Sequence, residues 1–150
     1  MKTSKRGIDL IKMFESFSPK VYICPAGIPT IGYGTTRYPD GRKVSMGDPN
    51  ISEIVATNYL MYDVKIFENF VDVYVMTDIN QNQFDALVSF VYNVGPMNFK
   101  SSTLLKLINQ NPNHPEIFKQ FQRWNKAKGK VLPGLVKRRI AEGELYISKN

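Results

Sequence analysis

Apolar residues recur at Ile8, Ile11, Phe14 and Phe17, a spacing of three that marks one face of a helix. Pro19 is expected to stop that helix, because a proline disfavours helical geometry in the residue before it, and this leaves Glu15 in its last turn. From Val21 the period shortens. Val21-Tyr22-Ile23 and Thr30-Ile31-Gly32-Tyr33 read as strands, with Pro25, Gly27 and Pro29 punctuating the turns between them. Arg42-Lys43-Val44, after the turn Tyr38-Pro39-Asp40-Gly41, reads as a third strand. Asp48-Pro49-Asn50 then opens a long helix. Its apolar stripe runs through Ile51, Val55, Tyr59, Tyr62, Ile66, Phe70 and Val73, in steps of four and three.

The next segment, from Ile79 to Asn93, has little polar relief: Phe84, Ala86, Leu87, Val88, Phe90, Val91 and Tyr92 leave it no solvent face, so it is expected to be a buried central helix, ended by Gly95-Pro96. Ser101 or Ser102 can cap a short helix with Leu104, Leu105, Leu107 and Ile108. Pro115 starts another, with Ile117, Phe118, Phe121 and Trp124. A basic loop from Lys126 to Gly134 leads into a last helix over Leu135 to Ile147. The predicted architecture is α+β and mostly helical. A small antiparallel sheet lobe over about 18–50 stands beside a larger helical lobe over about 51–150 that also takes the first helix, with the long helix joining them and a cleft between.

Composition narrows the chemistry. At 150 residues the chain suits one compact domain. One cysteine, Cys24, and one histidine, His114, close no internal disulfide and build no zinc site, and the lone thiol fits synthesis in a reducing compartment. A formal net charge of +7 favours a polyanionic partner. The stretch Lys126, Lys128, Lys130, Lys137 and Arg138 reads as a solvated face that can also hold an anionic polymer. No signal-peptide core or bilayer-length apolar run is present. His114 is expected at the surface near a helix start and Trp124 in the core. Asp40 and Asp48 read as turn and cap residues that could also supply a carboxylate.

Two segments carry candidate chemistry. Glu15 lies between Phe14 and Phe17 at a helix C-terminus, where apolar neighbours and the negative helix end both favour a neutral acid; by itself it also reads as an ordinary surface residue. In Gly27 to Thr36, GIPTIGYGTT, strand alternation sends Thr30, Gly32 and Gly34 one way and Ile31 and Tyr33 the other. Glycines there would let a flat ligand such as a sugar ring approach the main chain, which makes Gly32, Tyr33 and Gly34 candidates for a substrate cleft.

Glu15, then Cys24, then Thr30 inside TIGYG resembles the phage-type lysozyme family, that of the T-even phage lysozyme and many phage endolysins. Gln83 to Phe90 with Tyr92-Asn93-Val94-Gly95 is similar to the family's central helix. Ser102-Thr103-Leu104-Leu105, Phe121 to Trp124, and Gly134 to Arg139 with Glu142 and Leu145 continue the match to the C-terminal end. The resemblance implies a single lysozyme-like catalytic domain over 1–150, a muramidase that hydrolyses the β-1,4 bond from N-acetylmuramic acid to N-acetylglucosamine in bacterial peptidoglycan. It implies an inverting course with no cofactor or metal, with Glu15 as general acid, Cys24 and Thr30 positioning or activating the water, and Arg139 reaching back to Glu15. Cys24 stands where Asp is commoner, and a thiol is a weak base at neutral pH. The protein is expected to be a monomer, made in the host cell cytoplasm and released to the wall, by a holin for instance, without stable membrane insertion or a nucleic-acid partner. A lytic transglycosylase and an inactive lysozyme-fold module that binds peptidoglycan are the competing readings.

Overall fold

The computed structural model describes residues 1–149. Its elements run α1 (Lys5–Glu15), β1 (Ser18–Ile23), β2 (Pro29–Gly32), α2 (Glu53–Tyr74), α3 (Gln81–Val94), α4 (Pro96–Lys100), α5 (Thr103–Gln110), α6 (Ile117–Gln122), β3 (Lys126–Ala127), β4 (Lys130–Val131) and α7 (Pro133–Ile147). The fold is therefore α+β and mostly helical, as the periodicity predicts. The chain forms two compact units, one of Ile11–Lys65 and one of Met1–Leu10 with Ile66–Asn150.

The Ile11–Lys65 unit is built on the β1–β2 hairpin. The strands pair antiparallel with Tyr22 opposite Thr30 and Ile23 opposite Pro29, and a register irregularity lies between Ser18 and Tyr22. One face of the hairpin sends Val21 and Ile31 into a small core with Tyr38 and Val44, against which Ile51 and Tyr59 pack. The predicted third strand does not form: Arg37 and Lys43 make an isolated bridge only. Asp48 explains the arrangement, because its carboxylate accepts the Tyr38 hydroxyl (2.7 Å) and the Ser45 backbone N–H (2.9 Å), fixing this segment as a loop.

The predicted stripe of α2 is shifted. The helix buries Ala56, Leu60, Val64 and Val71, whereas Tyr62, Ile66 and Val73 are 46%, 61% and 70% exposed. Side-chain size misleads here, because the contact with the hairpin is made between small residues. Gly32 has φ +68, and a Cβ added to it would stand 3.1 Å from the Ala56 Cβ. That close approach selects Ala56, not Val55, as the inward position.

In the other unit α3 is the buried helix that its composition predicts, with every residue from Asn82 to Val91 buried. Asn80 and Gln83 form a reciprocal capping box at its start, and Ser102 caps α5 through the Leu105 N–H (3.0 Å). α3 and α6 both pack on α7. The Phe90 ring meets Phe121 and Trp124 edge-on, with centroids 5.4 and 5.9 Å apart. The segment read as a basic loop contains a hairpin, β3–β4, and the segment after Gly95 contains the short α4.

Candidate active site

α1 ends at Glu15, but Pro19 is not what ends it. Ser16 adopts φ +57, and its N–H still bonds to the Lys12 carbonyl at 3.3 Å. A single left-handed residue thus closes the helix and turns the chain into β1, in which Pro19 lies. Glu15 becomes the last helical residue, half-buried.

Hairpin alternation sends Val21 and Ile31 to the core, so Tyr22 and its cross-strand partner Thr30 lie on the opposite face. Cys24 follows Tyr22 by two residues at the mouth of the turn. Its N–H donates to the Ile28 carbonyl (3.0 Å) and its carbonyl accepts the Gly27 N–H (2.8 Å). Thr30 is buried, with its hydroxyl donating to the Ile28 carbonyl at 2.9 Å. The Cys24 thiol is half-buried. Its pKa lies below the ordinary thiol value, first because of the Ile28 backbone, then of the Ala26 backbone and the Thr30 hydroxyl, with desolvation opposing them. Burial, followed by the charges of Glu15 and Cys24, pushes the Tyr22 phenol above its ordinary range. Glu15, Tyr22, Cys24 and Thr30 thus form one electrostatic neighbourhood within a single unit.

The cleft candidates have other occupations. β2 ends at Gly32, so the alternation read through Gly34 stops there, and Gly32 faces α2. Tyr33 is 5% exposed; its hydroxyl donates to Glu53 Oε1 at 2.8 Å and its ring stands 5.6 Å from that of Phe17. Lys12 completes this cluster with a 2.7 Å ion pair to Glu53, and Lys12 first, then the Tyr33 hydroxyl, hold the Glu53 carboxyl below its usual range. Gly34 lies in the turn after Tyr33, with φ +98. Asp40 accepts the Arg42 backbone N–H (2.9 Å), a turn role, and Asp48 holds the loop described above.

Arg139, the expected supporting residue, belongs to the other unit. It is fully buried on α7, with Nε 2.6 Å from Glu142 Oε1 and its guanidinium 5.0 Å from the Phe90 ring centroid. Arg138 is buried beside it, not solvated, with Nε 3.3 Å from Glu142 Oε2, and the Ser89 hydroxyl donates to the same oxygen at 2.6 Å. Burial pushes the Glu142 carboxyl upward against the pull of both guanidinium groups. His114 accepts the Glu116 N–H on Nδ1 (3.1 Å) near the start of α6. Tyr22 and Glu53 were passed over in the sequence. Tyr22 was accessible from strand alternation, whereas Glu53 carries no local signal.

Residues 12–142 match the family described as phage lysozyme. The endolysin of Bacillus phage B103 is 44% identical over 150 residues, which is 99% of this chain and 55% of that protein. The chain thus spans about half the length of that relative. Among solved structures, the endolysin from Escherichia coli O157:H7 phage FAHEc1 superimposes with a TM-score of 0.88 at 40% identity, covering 98% of this chain and 94% of that one. The muramidase domain of SpmX from Asticaccaulis excentricus does so with a TM-score of 0.84 at 31% identity, covering 99% of both.

Proposed function

The chain belongs to the phage lysozyme family, and from that premise we propose that it is an endolysin-type muramidase that cuts bacterial peptidoglycan at the β-1,4 bond from N-acetylmuramic acid to N-acetylglucosamine. The observation that carries this reading is that Glu15, at the end of α1, and Cys24 and Thr30, both bonded to Ile28 at the mouth of the β1–β2 hairpin, belong to one compact unit. Glycoside hydrolysis needs an acid at the leaving oxygen and a group that directs water to the anomeric carbon. Glu15 donates the proton as the glycosidic bond breaks. Cys24 and Thr30, whose side chains are within hydrogen-bond reach at the hairpin mouth, hold the water that attacks from the opposite face of the ring, and the anomeric configuration inverts. The Thr30 hydroxyl donates to the Ile28 carbonyl, so its oxygen lone pairs remain to accept from that water. The acidified Cys24 thiol supplies a second acceptor.

The protein acts as one catalytic domain and as a monomer, and requires no cofactor. No helix among the described residues is long and apolar enough to cross a membrane, and a holin-type partner would release the enzyme from the cytoplasm to the wall. Digestion of purified peptidoglycan with mass spectrometry of the fragments is the test. Reducing muramic acid ends are expected. Anhydromuramic ends would replace the hydrolytic reading with a transglycosylase, and an undigested wall would leave a binding module.

A further inference from the structure

Between Glu116 and Glu142 the sequence holds basic residues and no acidic one. The structure divides these cations sharply. Arg138 and Arg139 are buried on Glu142, and Lys119 stands 3.8 Å from Glu116. Lys126, Lys128 and Lys130 are exposed on the β3–β4 hairpin, and among the described residues none of them has an ion-pair partner.

The backbone of this hairpin adds a second observation. Its two turn residues, Lys128 and Gly129, have φ +51 and +78, the pattern of a type I′ turn. Glycine suits such a position, and Asn and Asp tolerate it, but a lysine is disfavoured there. Among the described residues, Ser16 at the end of α1 and Lys128 are the non-glycine residues with a positive φ. Lys128 thus holds a disfavoured backbone geometry at the exposed tip of the hairpin, where its side chain has no ion-pair partner among the described residues.

We propose that the β3–β4 hairpin is a cationic finger that binds a linear phosphodiester polymer of the cell wall, a polyol phosphate. Cross-strand partners share a face, so Lys126 lies with Val131 and Lys130 with Ala127, while Lys128 occupies the tip. The charges therefore stand on both faces and at the end. A flat bilayer meets one face of a hairpin; a flexible polyanion can pass over both. Lysine is a compact, strongly hydrated point charge, and as such is a common binder of phosphate. The finger holds the enzyme at the wall; the identification of the wall as its workplace rests on the muramidase reading.

The experiment compares three proteins: the wild type, the triple variant Lys126→Gln/Lys128→Gln/Lys130→Gln, and Lys128→Gly. Each is titrated with poly(glycerol phosphate) at several salt concentrations, and with phosphatidylglycerol vesicles in parallel. Three phosphate contacts predict a log–log salt slope of about −2, or about a 20-fold loss of affinity between 50 and 200 mM salt. The triple variant should lose that slope and most of the binding. Lys128→Gly should bind several-fold more weakly while melting at a higher temperature, a combination that a merely structural turn residue would not give. Wild-type binding no stronger than that of the triple variant, or binding to vesicles alone, overturns the proposal. Cleavage of soluble glycan oligomers is measured alongside. Equal cleavage by wild type and triple variant with altered polymer binding supports the finger, whereas polymer binding without any cleavage overturns the muramidase reading and the wall assignment that depends on it, leaving the phosphodiester chemistry alone. Loss of oligomer cleavage in a folded triple variant would make the lysines part of the glycan site and refute the separate finger.

Discussion

At Cys24 the Ile28 and Ala26 backbone and the Thr30 hydroxyl all stabilise the thiolate, so the sulfur can accept a proton nearer to neutral pH than an ordinary thiol. Replacing it by Asp should keep substantial activity, because a carboxylate is ionised at neutral pH; Cys24→Ala should lose about 10²-fold or more, the usual range for a lost base. The pH profile separates two versions of the role. A working thiolate makes wild-type activity climb with pH and moves the optimum of Cys24→Asp lower, whereas a neutral water-holding thiol gives coincident profiles. Cys24→Ala with wild-type turnover would remove Cys24 from the mechanism. Glu15→Gln should abolish wall lysis while leaving the melting temperature nearly unchanged, since Gln keeps the shape but cannot donate; a folded, active Glu15→Gln enzyme would refute the assignment. The position of Glu15 was legible in the sequence because a three-residue period fixes a helix end within a turn. The surroundings of Gly32 and Tyr33 were not, because the same alternation that sorts strand faces fails once β2 stops at Gly32 and the chain turns.

Along α7 the buried set of Arg138, Arg139, Glu142 and Ser89 decides stability. Arg139→Met removes one partner from a buried carboxylate, a change that costs about 3–5 kcal/mol when nothing else compensates. Arg138 and Ser89 still hold Glu142, so the lower end is expected, read as a drop of about 6–12 °C in thermal denaturation. An unchanged melting temperature would show that Arg139 contributes little to the folded state. On α2, Asp63 accepts the Thr35 hydroxyl at 2.7 Å, but burial outweighs that bond and raises its carboxyl from 3.8 to about 6. The folded state thus prefers the protonated form. Its stabilising contribution is complete below the unfolded value of 3.8 and is lost as pH rises through about 6. Asp63→Asn keeps the acceptor without the charge, so it should melt higher than wild type at pH 7 and lose that advantage near pH 4. Melting curves at the two pH values check this; a lower melting temperature at pH 7 would show that the ionised carboxyl stabilises the fold. The stripe of α2 was misread by one residue because periodicity weights large side chains, and the face that packs on the hairpin is chosen by Ala56.

The two compact units have unequal cores. One is organised around α3, buried over ten consecutive residues, while the other gathers Val21, Ile31, Tyr38 and Val44 with the flanks of Ile51 and Tyr59. Local opening is easier where fewer apolar contacts are broken. Native-state hydrogen exchange should therefore release the amides of β1 and β2 well before those of α3, and equal protection would show that the chain opens only as a whole. At this scale the helices with caps were readable, since Asn80 and Ser102 announce them. The β3–β4 hairpin was missed because its turn reads Lys-Gly, without the Asn-Gly or Asp-Gly pair that signals a hairpin, and the third strand was overread because Asp48 acts through bonds to Tyr38 and Ser45 that no periodicity reveals.

The Glu142 cluster also constrains how this chain can drift over generations. Loss of the carboxylate alone would strand two guanidinium groups in the interior, and loss of either arginine would leave the buried acid less compensated, so each single step lowers stability even where a wholly apolar set would fold as well. Descendants should carry all three charges together or have exchanged them together. Reconstructed intermediates with one or two replaced should fold less stably than either end of the path.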